Sequence, residues 1–154
     1  DLRRVLSPAQ PLAHRSSGAG FQRCGEFPIL RESDLHSLTE ALRDLLRDTG
    51  FSALDQTKFL TATSELVRNI LQYARTGQVT VSRAARSGSQ RAGLELVASD
   101  NGPGISDVDH VLSTRYRSRS GMGIGLKGAR RLVDEFEIDS QPGRGTRVTI
   151  RKYV

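Results

Sequence analysis

Apolar residues along the chain recur first at helical and later at alternating spacing. Leu35, Leu38, Leu42, Leu45 and Leu46 fall on one helical stripe, with Ser33 or Asp34 to cap its start and Gly50 to end it. A second stripe of Phe59, Thr63, Leu66, Val67, Ile70, Leu71 and Ala74 predicts a helix from about Asp55 to Ala74. Before them, "EFPIL" (26–30) reads as a short strand, and Pro28 favours an edge position because it lacks an N–H for the ladder. "GQVTVSRAA" and "AGLELVASD" read as two strands of a hairpin around a Ser/Gly/Arg-rich turn at 86–91. A short helical piece near Asp107–Leu112 and the polar stretch "STRYRSRSG" follow. A third helix starts within the glycine stretch and carries Leu126, Ala129, Leu132, Val133 and Phe136. "FEIDS" and "TRVTIRKYV" close the chain as a hairpin around "QPGRG". Strands follow each other directly twice, which excludes a purely parallel, doubly wound sheet. The expected fold is an α/β (α+β) two-layer sandwich, a mixed, largely antiparallel sheet covered on one face by about three helices.

Composition narrows the class without naming an activity. The length of 154 residues suits one domain, and aromatic residues are scarce, so the core is expected to be aliphatic. Residues 1–25 are rich in Ser, Ala, Pro and Gly and have no steady period, so they read as a tail or linker before a domain at 26–154. The chain opens on Asp1, not Met, as expected of a fragment, a processed chain or a renumbered one. No run of apolar residues is long enough to span a membrane, and no secretory signal is visible. The lone Cys24 has no partner for an internal disulfide, which fits a reducing cytoplasm. Of the net charge of +6, half sits in residues 1–25, and three more arginines lie in "RYRSR" at 115–119. No aromatic-plus-basic stacking surface accompanies them, so nucleic acid is not an expected partner.

Three constellations carry candidate chemistry. In "SELVRN", Glu65 and Asn69 lie four apart and stack on one helical face beside the apolar stripe. A carboxylate beside an amide oxygen suits a proton acceptor next to a divalent cation, since Mg²⁺ needs few protein ligands when phosphates and waters supply the rest. The alternative is an ordinary polar face in which Glu65 pairs with Arg68. In "ASDNGPGI", a strand ends in Asp100 and runs into Gly102 and Gly104. A buried carboxylate there would accept from an exocyclic amine such as that of adenine and reject the carbonyl of guanine, or the stretch is a plain turn. "SGMGIGLKG" (120–128) contains a formal G-x-G-x-x-G, but no strand precedes it and too little chain follows for a dinucleotide fold. It is no Walker A loop either, since Lys127 is followed by Gly128. A glycine loop feeding a helix N-terminus remains, either facing an anion or simply turning tightly.

Read in order, E-x-x-x-N on a helix, D-x-G-x-G after a strand, G-x-G-x-G into a helix and G-T in a final hairpin resemble the GHKL superfamily of Bergerat-fold ATPases. The likeness spans about residues 26–153. Through "SELVRNILQYA", "DNGPGI", "GIGLKGARRLVDEFEI" and "GRGT" it is nearest to the anti-sigma-factor serine/threonine kinases of the stress-signalling switch type. The resemblance implies ATP and Mg²⁺ as cofactors. Asn69 would ligate the metal, and Glu65 would polarise a protein Ser or Thr hydroxyl. Asp100, assisted by Thr146, would read the adenine amino group. Gly102, Gly104, Ile105 and Leu126 would lie along the nucleotide, and Gly121, Gly123 and Gly125 would supply hinge freedom and phosphate contacts for a lid at 113–123. Lys127 stands where the switch-kinase pattern tends to carry Pro, and it or a lid arginine would reach the β/γ-phosphates. The resemblance further implies a cytoplasmic kinase whose substrate is a STAS-domain protein of the anti-anti-sigma type. A sigma factor or a phosphatase as second partner and a homodimer are further expectations. Two alternatives share the fold: the ATP-binding domain of a sensor histidine kinase, and a non-catalytic ATP-dependent binding module.

Overall fold

A computed structural model describes residues 21–85, 91–112 and 125–154. Five strands form one sheet: β1 (Phe21–Ile29), β2 (Gly77–Ala85), β3 (Ala92–Asp100), β4 (Glu135–Gln141) and β5 (Gly145–Tyr153). Their spatial order is β1-β2-β3-β5-β4, and every neighbouring pair is antiparallel. Among the described residues four α-helices accompany them: α1 (Glu32–Thr49), α2 (Ala53–Asn69), α3 (Val108–Val111) and α4 (Gly125–Arg131). The expected two-layer sandwich is therefore present, with a sheet antiparallel throughout the described residues.

One face of the sheet and the helical stripes form a common core. Val79, Val81, Leu94, Leu96, Ile138 and Ile150 alternate along their strands and meet Leu38, Leu42, Leu46, Phe59, Leu66 and Ile70 from the helices. Gly50 ends α1 in the left-handed conformation at φ 100°, and its N–H reaches the last carbonyls of the helix. At the other end the capping differs in detail from expectation. α1 begins at Glu32, and the Asp34 carboxylate reaches back to accept from the N–H groups of Leu30 and Arg31 at 2.8 and 3.1 Å.

Three boundaries also differ. β1 starts at Phe21, so residues 21–25 pair with β2 instead of belonging to the tail. Their sequence lacks apolar alternation, because the edge strand is held by backbone pairing and carries a register shift between Arg23 and Gly25. The second helix ends as an α-helix at Asn69 and continues as a π-helical turn over Ile70–Ala74. Phe136 lies in β4, paired with Ile150, and not in the third helix, which is helical over Gly125–Arg131. A residue that satisfies both the helical and the strand period is assigned by its partners, and Phe136 is buried against the sheet core.

Candidate nucleotide site

The site grows from one end of the sheet. Pairing places Gly77, Asp100, Thr146 and Ser140 side by side across β2, β3, β5 and β4. The Asp100 carboxylate accepts from the Gly102 N–H at 2.9 Å, and the Thr146 N–H also points at it. Burial raises its pKa above the usual carboxylate value, and those two N–H groups counter part of the rise. Ser140, 2 % exposed, sits behind this pair, with its Oγ 2.8 Å from Thr146 Oγ1.

The loop after Asp100 is clasped by the β4–β5 turn. Gly143 donates its N–H to the Pro103 carbonyl at 2.7 Å, and Ile105 donates to Ser140 Oγ at 2.8 Å. Gly104 and Gly145 have φ of +75° and +83°, and a Cβ on them would overlap the carbonyl oxygens of Gln141 and Asp100 respectively. Both positions need glycine for conformation and for space.

Above that floor lies a cavity of ≈ 230 Å³. α2 and its π turn contribute Leu66, Asn69, Ile70 and Tyr73; β3 and the following loop contribute Ala98, Asp100, Pro103, Gly104, Ile105, Ser106 and Val111. Gly125 and Leu126 of α4 and Thr146 and Val148 of β5 complete the wall. A mostly apolar slot with a carboxylate and a hydroxyl at its floor fits a flat heteroaromatic base. π-Helical turns cluster at functional sites, and this one puts Ile70 and Tyr73 on the cavity wall immediately after Asn69. The turn ends at Arg75, whose φ of 72° is the one positive value among described non-glycine residues.

Glu65 lies one helical turn before Asn69 and is 1 % exposed. Neither of its carboxylate oxygens closes a hydrogen bond among the described residues. Burial raises its pKa, while the Arg68 guanidinium, 3.9 Å away, and the Gly125 N–H both oppose the rise. The result is a carboxyl with high proton affinity, aimed from α2 toward the start of α4.

The structure thus gathers Asn69, Asp100, Gly104, Ile105, Gly125, Leu126 and Thr146 on one cavity. Glu65 and Gly102 do not line it: Glu65 lies one helical turn before Asn69 and faces the Gly125 N–H, and Gly102 bonds to the Asp100 carboxylate. Lys127 is half-buried in α4 and does not line the cavity. Gly121, Gly123 and the lid arginines lie outside the described residues. Sequence reasoning missed Tyr73, Ser106 and Ser140. Ser140 has a visible signal, a polar residue at an inward position of β4, whereas Tyr73 depends on the π turn.

Asn69 offers a hard amide oxygen, and among the described residues no group of three or more His, Cys, Asp or Glu gathers to hold a cation. That donor set fits a Mg²⁺ whose remaining ligands come from phosphates and water.

The profile of the histidine kinase-, DNA gyrase B- and HSP90-like ATPases matches residues 54–153. The chain belongs to this ATPase family. Among similar proteins is the serine/threonine-protein kinase RsbT of Bacillus subtilis (strain 168), 37 % identical over 126 residues, covering 82 % of this chain and 93 % of that protein. An anti-sigma F factor of Thermoanaerobacter sp. (strain X514) is 30 % identical over 100 residues, covering 61 % of this chain and 67 % of that protein. A crystal structure of RsbU and RsbW domains from Mycobacterium tuberculosis superposes with a TM-score of 0.53 at 20 % identity, covering 84 % of this chain and 32 % of that one. That last likeness concerns the fold alone. Family membership places the matched segment from α2 through β5, the same elements that build the cavity.

Proposed function

We propose that the chain is a serine/threonine protein kinase that transfers the γ-phosphoryl group of ATP to a STAS-domain regulatory protein in a partner-switching pathway. The observation that carries this is the buried Glu65 one helical turn before Asn69 on α2, with Asn69 on the wall of a base-sized cavity floored by Asp100 and Thr146. The similarity to RsbT over nearly its whole length supports a hydroxyl of a protein as acceptor. The similarity to an anti-sigma F factor supports partner switching, with a sigma factor or a phosphatase as alternative partner.

The roles follow from position. Asp100 accepts from the adenine amino group, and Thr146 lies beside it. Asn69 would hold Mg²⁺, which would supply charge neutralisation at the phosphates. Gly125 and Leu126 face the nucleotide from the start of α4, and we extend the phosphate-contacting segment to Gly121, Gly123 and Lys127. Glu65 accepts the proton of the incoming Ser or Thr hydroxyl as its oxygen attacks the γ-phosphorus and the bond from that phosphorus to the bridging oxygen of ADP breaks. Its burial makes it a stronger base than a solvated carboxylate, which suits abstraction from an alcohol. Chemistry of this type is mostly positioning and electrostatics, so losing Asn69 should cost as much as losing Glu65. The kinase domain would run from β1 to the end of β5 and act in the cytoplasm. The test is incubation with labelled ATP, Mg²⁺ and candidate STAS-domain proteins, followed by phosphoamino-acid analysis. Label on Ser or Thr is expected; no transfer to any candidate would sink the proposal.

A further inference from the structure

We propose that Ser140 is the positioning residue that sets base selectivity, by fixing the Thr146 hydroxyl as a hydrogen-bond acceptor toward the cavity. The proposal rests on the ATP-binding reading above and adds a residue that does not itself line that cavity. Ser140 Oγ has three neighbours: the Ile105 N–H at 2.8 Å, the Gly145 carbonyl at 3.1 Å and Thr146 Oγ1 at 2.8 Å. It has a single proton to give.

Ile105 donates, so it takes one lone pair of the serine. The Gly145 carbonyl can only accept, so the serine proton belongs there. The short contact to Thr146 must then be made with the threonine's own proton. This assignment satisfies all three contacts with two hydroxyl protons. The reverse assignment, serine to threonine, sets the Ser140 and Gly145 oxygens 3.1 Å apart with no proton between them.

Thr146 Oγ1 consequently turns only lone pairs to the cavity, next to the Asp100 carboxylate. Two adjacent acceptors match an amino-bearing base edge, or a water donating beside it. They repel the carbonyl that guanine carries at the same place, where an unpaired buried acceptor is costly. Without Ser140 the threonine can rotate and donate, so the barrier to guanine falls while adenine loses little more than a fixed acceptor.

The experiment is calorimetric titration of the full chain with ATP and with GTP, in Mg²⁺, for wild type, Ser140→Ala, Thr146→Val and the double variant. Ser140→Ala should lower the preference for ATP over GTP about tenfold, the scale of one hydrogen bond. In the Thr146→Val background, Ser140→Ala should change that preference by less than about twofold, because the residue acts through Thr146. Ser140→Cys, of equal size and weaker bonding, should fall between wild type and Ala and serves if the alanine variant does not fold. A wild type that prefers ATP, with Ser140 variants that weaken both nucleotides equally, assigns Ser140 a purely structural role and overturns the proposal. A wild type that binds neither nucleotide overturns the ATP reading and takes this proposal with it.

Discussion

At the scale of single residues, Glu65 is a carboxyl withdrawn almost wholly from water. A carboxylate that is 1 % exposed, with no hydrogen bond closed among described residues, holds its proton more tightly than a free glutamate. The raised folded-state pKa means that the folded protein binds this proton better than the unfolded chain does. The stability it confers is complete below the ordinary value of 4.5 and is lost as pH rises through the higher folded value. Glu65→Gln should therefore raise the melting temperature at neutral pH, by about 2–4 °C per kcal/mol relieved, and flatten its decline with pH above the ordinary carboxylate range. Thermal melts across pH check this, and a lower melting temperature at neutral pH would contradict it. Under the proposed role of Glu65 as general base, phosphoryl transfer should rise with pH through the same titration, because a base acts only when ionised. Asp100 has the same sign of shift, but the Gly102 and Thr146 N–H groups both face it and an amide keeps one acceptor oxygen, so Asp100→Asn is not expected to stabilise.

Between elements, the decisive joint is the clasp of the 101–106 loop against the β4–β5 turn. Gly104 has positive φ and no room for a methyl group beside the Gln141 carbonyl. Gly104→Ala should cost at least about 2 kcal/mol of stability, since strain and steric displacement add, and should weaken nucleotide binding by opening the floor under Asp100. Denaturant unfolding and titration with ATP measure the two effects, and an unaltered unfolding midpoint would refute the clasp. Arg75 tests the π turn in the opposite direction. Its φ of 72° is unfavourable for a side chain, so Arg75→Gly should stabilise the fold by about 0.5–1 kcal/mol. The sequence made the flanks of these joints legible and their geometry much less so. The stripe of Leu66, Ile70 and Ala74 runs on smoothly through the π turn, because one added residue per turn barely disturbs an apolar period. The D-x-G-x-G loop and G-T hairpin were visible as separate patterns. Their contact through Ser140 spans 35 residues and depends on the register of β4 against β5. Asn69, Asp100 and Gly104 could be picked because each has a chemistry tied to a spacing, and Thr146 through the family resemblance, whereas Tyr73 and Ser140 acquire theirs only from neighbours.

For the molecule as a whole, the sheet carries charge in places where its sequence reads as solvated. "TRVTIRKYV" carries Arg151 and Lys152 just before its last two residues, and both are buried. The Arg151 guanidinium lies 2.6 Å from Glu95, 2.8 Å from Glu135 and 3.6 Å from Glu137, tying β3, β5 and β4 together opposite the helices. Burial works against its charge, yet the three carboxylates outweigh burial and hold it more firmly protonated than a free arginine. Removing one partner of a buried network leaves the others uncompensated, so Arg151→Ala should destabilise by about 3–5 kcal/mol. A loss under 1 kcal/mol at neutral pH, read from urea unfolding, would show that the network is dispensable. The fold as a frame thus rests on the network and the aliphatic core, and the site at its other end has only to hold Glu65, Asn69, Asp100 and Thr146 in place. Single-turnover phosphoryl transfer from ATP to a STAS-domain partner, compared between wild type and Glu65→Gln, tests that arrangement most directly. The account predicts a rate lower by about 10²–10⁴-fold in the variant, the usual worth of a general base, with ATP affinity within about twofold of wild type. Equal transfer rates in the two proteins would contradict it.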